Sequence, residues 1–396
     1  MSARVDGAPL ALLLCLVAAG RLAGPPQAAA LGQPDRGHAS SRPDEAPPAP
    51  SLGAAVKLPQ VNAGFERRDG WIGADGAYSV RLTPQQTLWL FSDTWVGSVR
   101  DGKRTGATVV NNSVALQEGH GSGARMRFVV REGTPAGHTA LITPRDGRGW
   151  FWLQAGACVD KRLFLWLNQV EKTGGTGVFA FRPVGQWLGV VANPLEEPTT
   201  WRIRQLKLPC TIFTPRRELT FGAAVLEDGG YLYIYGTDEE VRAVGRNRHL
   251  IVARVGTGEV EKFDAWRCYS GGEWVSDFRT ASGLVGDMAS ECSVSYLPGL
   301  RRYLLVYTEG GLSRRVLARS ARAPWGPWSA PRLVYECPEA GWDRRIFCYG
   351  AKAHPELAAG DELVISYVAN SFDFWQVAAD ARLYWPRFIR VQVRPD

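Results

Sequence analysis

The 396-residue chain predicts an all-β protein, a five-bladed β-propeller, on three observations. First, strand–turn–strand units recur five times. Their second strands begin near Leu88, Leu163, Tyr231, Tyr303 and Leu363, at steps of 75, 68, 72 and 60 residues. Quasi-regular repetition of a three- or four-stranded antiparallel unit is the mark of a propeller. Second, the chain carries 15 Trp, 15 Phe and 12 Tyr among 44 Gly and 25 Pro, and aromatic runs punctuated by Gly and Pro read as strands and tight turns. Third, segments such as 164–167 (FLWL) and 232–236 (LYIYG) are apolar without alternation. A blade packed between two others needs apolar residues on both faces. A two-sheet sandwich is the competing architecture, and it is less suited to this length.

The N-terminus reads as a targeting segment. Arg4 precedes an apolar run at 10–19, and Ala28-Ala29-Ala30 offers a small-residue cleavage site. Residues 1–30 are therefore expected to be a signal peptide, because the run is too short to span a bilayer. Residues 31–57, rich in Pro and Ala, read as a disordered leader, and 58–396 as the propeller domain. The protein is expected to be secreted or periplasmic, monomeric and without a membrane span. Its net charge of +7 is scattered in doublets such as Arg67-Arg68 and Arg344-Arg345. Nucleic-acid binding needs basic residues clustered on one face, so that class is set aside. A preference for anionic glycans fits the charge.

Setting Cys15 aside with the signal leaves six cysteines, and export permits disulfides. Cys337 and Cys348, flanking one loop, are the first pair to expect. No C-x-x-C occurs, and the few His lack zinc-ligand spacing.

The first unit, residues 71–95, holds the chemistry. Two apolar-rich runs flank Thr83-Pro84-Gln85-Gln86 and read as a hairpin. Folding it about Pro84 sets Asp75 opposite Asp93. Directly opposed side chains share a face, and two close carboxylates push one pKa up, which suits an acid/base pair. The second unit turns at Asp160-Lys161, the third at Asp228-Gly229, the fourth at Pro298-Gly299 and the fifth at Ala359-Gly360. In the fourth, Glu291 and Glu309 are opposed in the same way. The fifth places Lys352, His354 and Glu356 on its first strand, with Asn370 and Ser371 past its second. The middle units offer Asn168, Glu171, Asp238 and Glu239. Trp71, Trp95, Trp342, Tyr349 and Trp375 fall near these rim segments.

Each of these has an ordinary alternative. Asp at a strand end satisfies turn amides, a lone His354 in an apolar strand suits a hydrogen-bonded core, and most Trp must pack between blades. No cofactor is expected, although carboxylate oxygens are what a structural calcium ion takes. No nucleophile elbow, phosphate loop or dinucleotide fingerprint is present. Paired carboxylates with aromatics around a funnel are the equipment of glycoside hydrolysis.

The motifs W-x-G-x-D-G-x-x-S-V-x-L (71–82), L-W-L-F-x-D-T (88–94), K-A-H-P-E-L (352–357), S-Y-x-x-N-S (366–371) and Y-x-P-R-F (384–388) resemble bacterial exported propellers catalogued as domains of unknown function. That group includes or neighbours endo-D-arabinanases and is similar in architecture to arabinanase, xylosidase and levansucrase enzymes. The resemblance runs from about Gly64 to Val393. It implies a five-bladed propeller with a hydrolytic funnel and its acidic pair on Asp75 and Asp93. Ser92 departs from the Gly expected before that Asp, which implies an altered pocket.

The resulting expectation is a glycoside hydrolase acting on a polysaccharide or glycoconjugate, in particular a furanosyl polymer. Asp75, Asp93 and Glu291 are its catalytic candidates, with Asp93 as the acid/base, Asp75 as its partner and Glu291 as the alternative acid. Trp71, Trp95, Lys352, His354, Glu356, Asn370 and Trp375 are its substrate-binding candidates. The second reading is a non-catalytic glycan-binding or cell-surface propeller.

Overall fold

The computed structural model describes residues 45–133, 137–175, 180–241 and 246–394. The expected signal peptide and most of the leader lie outside them. Five antiparallel sheets follow one another along the chain as the blades of a β-propeller. Blade 1 is built on Asp69–Thr83 and Gln86–Arg100, blade 2 on Trp150–Val159 and Arg162–Lys172, and blade 3 on Arg217–Asp228 and Tyr231–Val241. Blade 4 is built on Cys292–Leu297 and Arg302–Thr308, and blade 5 on Ile346–Ala353 and Glu362–Ser371.

The turns follow local chemistry. Val159 pairs with Arg162 across Asp160-Lys161, both at positive φ, the backbone that two-residue hairpins favour. In blade 3 the turn falls one residue later than expected. Asp228 pairs with Tyr231, and Gly229 and Gly230 take the positive φ values that glycine adopts without steric cost.

The ring is closed by residues that the sequence placed in the leader. Ser51–Leu52 and Val56–Lys57 pair with Pro386–Arg394 on the outer edge of blade 5. These strands hold by main-chain bonds to an edge that would otherwise be open, so no apolar run announces them. The helix Pro59–Phe65 then crosses toward blade 1. Its Phe65 ring packs 4.9 Å from Phe388 and 5.0 Å from Trp89, and Asn62 accepts a bond from the Phe388 amide.

The core is divided between blades. One cluster joins Tyr78, Leu88 and Leu90 of blade 1 to Phe151 and Leu165 of blade 2. Others join Trp166 to Phe221 and Trp266, Tyr235 to Leu305 and Tyr307, and Val306 to Ile365. This is why the non-alternating strands are apolar on both faces.

Four of the five innermost strands carry a β-bulge, at Gly76/Tyr78, Leu153/Gly156, Phe221/Ala224 and Tyr349/Lys352. Bulges bend a strand and re-aim its side chains. Three of these four border the axial cavity described below. A further irregularity in blade 1 depends on Gly73, whose φ is +139°. A Cβ there would collide with the Tyr384 carbonyl oxygen and crowd Arg104. Arg104 itself is buried and donates to the carbonyls of Ile72, Val377 and Leu383. Gly73→Ala is expected to destabilise the fold by about 2–5 kcal/mol through strain and overpacking, read as a lower urea midpoint at unchanged slope.

Candidate active site

At one end of the ring axis lies a cavity of about 90 Å³, lined by Asp75, Tyr78, Ser92, Trp152, Asn168, Arg248, Glu291 and Tyr349, among others. Asp75 reaches it from the innermost strand of blade 1. The hairpin register is close to the expected one, but irregular on both sides of Asp75: Ala74 pairs with Thr94, Gly76 with Phe91 and Tyr78 with Leu90. Asp75 therefore faces the two-residue step Ser92-Asp93, and the local bend sends the two carboxyl groups to different surroundings.

Asp75 turns toward the cavity. Its Oδ2 accepts a 2.7 Å bond from the Tyr349 hydroxyl, which in turn accepts from Asn370 Nδ2 at 3.2 Å. Its Oδ1 is buried without a partner. The Tyr384 hydroxyl leans toward it without reaching hydrogen-bond geometry. Burial above all, and then the negative charge of Glu291, push the Asp75 carboxyl up to about 7. The Tyr349 hydrogen bond and the Lys352 ammonium pull the other way.

Asp93 does not line the cavity. It is 1% exposed, and its Oδ1 accepts from the Trp152 indole at 3.0 Å and from Asn111 at 3.1 Å. It fixes the ring that forms one cavity wall. Ser92, the departure from Gly, places its hydroxyl 3.0 Å from the Leu153 carbonyl and ties blade 1 to blade 2.

Glu291 immediately precedes the innermost strand of blade 4 and faces the cavity. Its Oε2 lies 2.7 Å from Lys352 Nζ. Cys292 pairs with Tyr307, so Glu309 is out of step with Glu291 and instead pairs with Arg315 at 2.7 Å. Lys352 is 2% exposed in its side chain. It also donates to the carbonyls of Gly76 at 2.5 Å and Gly350 at 2.7 Å, the glycines of two bulges. Its Nζ lies 4.4 Å from the centre of the Tyr78 ring. One cation thus joins blades 1, 4 and 5 beneath the cavity.

The other sequence candidates fall elsewhere. His354 and Glu356 border a separate cavity at the opposite end of the axis. Ser79 Oγ donates to Glu356 at 2.6 Å and has His354 Nδ1 at 2.8 Å, while His354 Nε2 contacts Ser366 at 2.7 Å. With Ser79 donating to Glu356, Nδ1 carries the proton and Nε2 accepts from Ser366. This is a satisfied neutral histidine, and burial holds its pKa well below the usual value. Trp71 stacks on Phe128 at 4.3 Å and Trp95 on Phe374 at 5.2 Å; both are packing residues. Asn370 touches the site through its bond to the Tyr349 hydroxyl, and Trp375 is 62% exposed outside the cavity.

The middle units contribute unequally. Asn168 lines the cavity, and its Oδ1 has no partner. Asp238 is held by Arg217 at 2.8 Å, and Glu171 pairs with Arg148. Glu239 accepts from Arg248 Nε at 2.6 Å and so orients a cavity-lining guanidinium that sequence reasoning missed. The available signal was register, since Glu239 and Arg248 are direct cross-strand partners. Trp152 and Tyr78 were also missed. Tyr349 was noticed only as a rim aromatic.

Among the described residues, no group of three or more His, Cys, Asp or Glu could hold a metal ion, and no helix is long and apolar enough to cross a membrane. Cys337 and Cys348 are buried free thiols that interact with each other.

A family model described as "Domain of unknown function (DUF5005)" matches residues 60–393. No curated protein matches the chain. Among solved structures, a protein from Bacteroides ovatus ATCC 8483 called a "putative hydrolase" is similar with a TM-score of 0.68 at 20% identity, over 85% of this chain and 90% of that one. The GH43_1 enzyme from Xanthomonas citri complexed with xylotriose gives a TM-score of 0.46 at 15% identity, over 85% and 93%. At 20% identity the likeness to the Bacteroides protein is one of fold.

Proposed function

The chain belongs to the DUF5005 family, and we propose that it is an exported glycoside hydrolase with Asp75 and Glu291 as its carboxylate pair. The reading rests on Asp75. A carboxyl group with a buried, unpartnered oxygen facing a cavity, and with its pKa pushed up to about 7, is a proton donor at neutral pH. Glu291 faces the same cavity as the partner of the Lys352 ammonium.

In this reading Asp75 protonates the glycosidic oxygen as the bond to the anomeric carbon breaks. Water supplies the hydroxyl that the anomeric carbon gains, and its other proton passes to a carboxylate. The unpartnered Asn168 Oδ1, the Tyr78 hydroxyl, which leans toward Glu291, and the Arg248 guanidinium supply polar contacts for sugar hydroxyls. Asp93 is a positioning residue that acts through Trp152. A propeller that only binds glycan has no use for a buried carboxyl held near neutrality, which favours catalysis over the binding-only reading.

The test is release of reducing sugar by the purified protein from arabinans, fructans, xylans and sulfated glycans. Binding without turnover across the panel would favour the glycan-binding reading. Asp93→Asn separates the two aspartates. Its amide oxygen can still accept from Trp152, so kcat is expected to fall less than about tenfold, well short of the 10²–10⁴ of a general acid, with the larger change in KM. A kcat loss of 10² or more would return Asp93 to the chemistry.

A further inference from the structure

The end of blade 5 beside the cavity carries aromatic surface that the chemistry above does not use. Its innermost strand, Ile346–Ala353, reaches the cavity at Tyr349, whereas Ala353 and the residues after it border the cavity at the other end of the axis. The start of this strand therefore lies at the Asp75 end. Ile346 pairs with Ser371, so the segment that leaves the second strand, beginning at Phe372, stands at that same end.

From the cavity outward the rings follow one another. Phe347 comes two residues before Tyr349 and so shares its side of the strand, and the two ring centres are 5.6 Å apart. Phe372 packs on Phe347 at 4.5 Å. Phe347 is buried, but Phe372 is 39% exposed and Trp375 62%. Trp375 lies three residues past Phe372, within about 10 Å along the chain.

The segment that carries both exposed rings is tied down. The Phe372 amide donates to the Arg345 carbonyl at 3.0 Å. Asp373 accepts from the Trp375 amide at 2.9 Å and from the Arg345 guanidinium at 2.8 Å, and Ser371 Oγ donates to Gln376 at 2.6 Å. A segment ordered before anything binds has little entropy left to lose on binding. Exposed apolar rings rimmed by charged groups, here Arg345 and Asp373, mark ligand surfaces. Flat aromatic faces suit the C–H faces of sugar rings, and the indole N–H suits their hydroxyls.

We infer that a glycan chain with its reacting unit in the cavity continues outward across Phe372 and Trp375, an inference that rests on the hydrolase reading. The series Tyr349, Phe347, Phe372 makes the patch continuous with the cavity wall beside Asp75. Its occupant is therefore the chain held in that cavity. The substrate is then an oligo- or polysaccharide whose affinity is set partly outside the cavity. Phe372 and Trp375 bind the chain and touch no reacting atom.

The experiment compares Trp375→Ala with the wild type on whichever of arabinan, fructan, xylan and sulfated glycan is cleaved, and on the shortest oligosaccharide of that glycan still cleaved. On the polymer, kcat/KM is expected to fall at least about tenfold, through KM. On the short oligosaccharide it should change less than about twofold. No loss on the polymer, or an equal loss on both, overturns the inference and leaves the hydrolase reading standing. If nothing is cleaved, the hydrolase reading fails, and the patch is read separately by affinity electrophoresis in gels containing each of the four glycans. There the wild type should be retarded by at least one of them, with a Kd about tenfold or more higher for Trp375→Ala. No retardation in any gel, or equal retardation of the two proteins, overturns it. Wild-type self-association in sedimentation velocity that Trp375→Ala abolishes, with glycan binding unchanged, would assign the patch to a second copy of the chain and overturn it as well.

Discussion

Asp75→Asn is expected to lower kcat by about 10²–10⁴ while leaving the protein folded, since the amide keeps the shape of the carboxyl and its oxygen still accepts from Tyr349. The remaining activity should lose its dependence on the group that titrates near 7. In the wild type, kcat/KM should fall as pH rises through about 7, because the proton to be donated is gone.

Stability gives a second readout of the same group. A carboxyl whose folded pKa lies above its unfolded value binds its proton more tightly when folded. Its contribution is therefore full below about pH 4 and is lost as pH rises through about 7. Raised from 3.8 to about 7, Asp75 carries a pH-dependent contribution on the order of 4 kcal/mol. Asp75→Asn should remove it, so that the variant gains on the wild type in urea unfolding between pH 4 and 8. A wild type whose stability does not respond to this substitution across that window would contradict the raised value.

Lys352→Met should be the most damaging single change near the cavity. It removes a buried cation from Glu291 and a donor from two bulge carbonyls. Breaking one side of a buried pair typically costs about 3–5 kcal/mol; the 19% exposure of the Glu291 side chain argues for about 3 kcal/mol. The double variant Lys352→Met/Glu291→Gln should recover part of that loss, because no unpaired charge is left behind. In whatever activity survives, the alkaline limb should move to higher pH, because the ammonium that lowers the Asp75 pKa is gone. A merely structural lysine would leave that limb in place. Lys352→Met as stable as the wild type would show that the ion pair is not holding the three blades.

The hairpin holding Asp75 was readable because apolar runs around a Pro-containing turn specify both strands and their register. The carboxylate pair was only half readable. Asp75 and Asp93 are nearly opposed along the backbone, yet a bulge assigns one to the cavity and the other to Trp152. Bulges depend on glycines meeting neighbouring strands, and that contact has no local signature. His354 and Glu356 follow Lys352 closely in sequence, but the strand ends at Ala353 and they lie past that end, beside the cavity at the other end of the axis. Arg248 was hidden because its partner, Glu239, looked like one more rim carboxylate.

By itself the sequence determined the number of blades, the place of most turns, the two-faced apolar strands and the presence of Asp75 and Glu291 near one rim. These follow from short-range propensity and repeat spacing, which any folded state of this chain must respect. Only the tertiary structure decided that Asp75 and Glu291 line one cavity, that Lys352 ties blades 1, 4 and 5 beside it, and that residues 51–57 seal the ring. Those outcomes depend on which strands meet from far apart in the chain and on how each bulge turns a side chain.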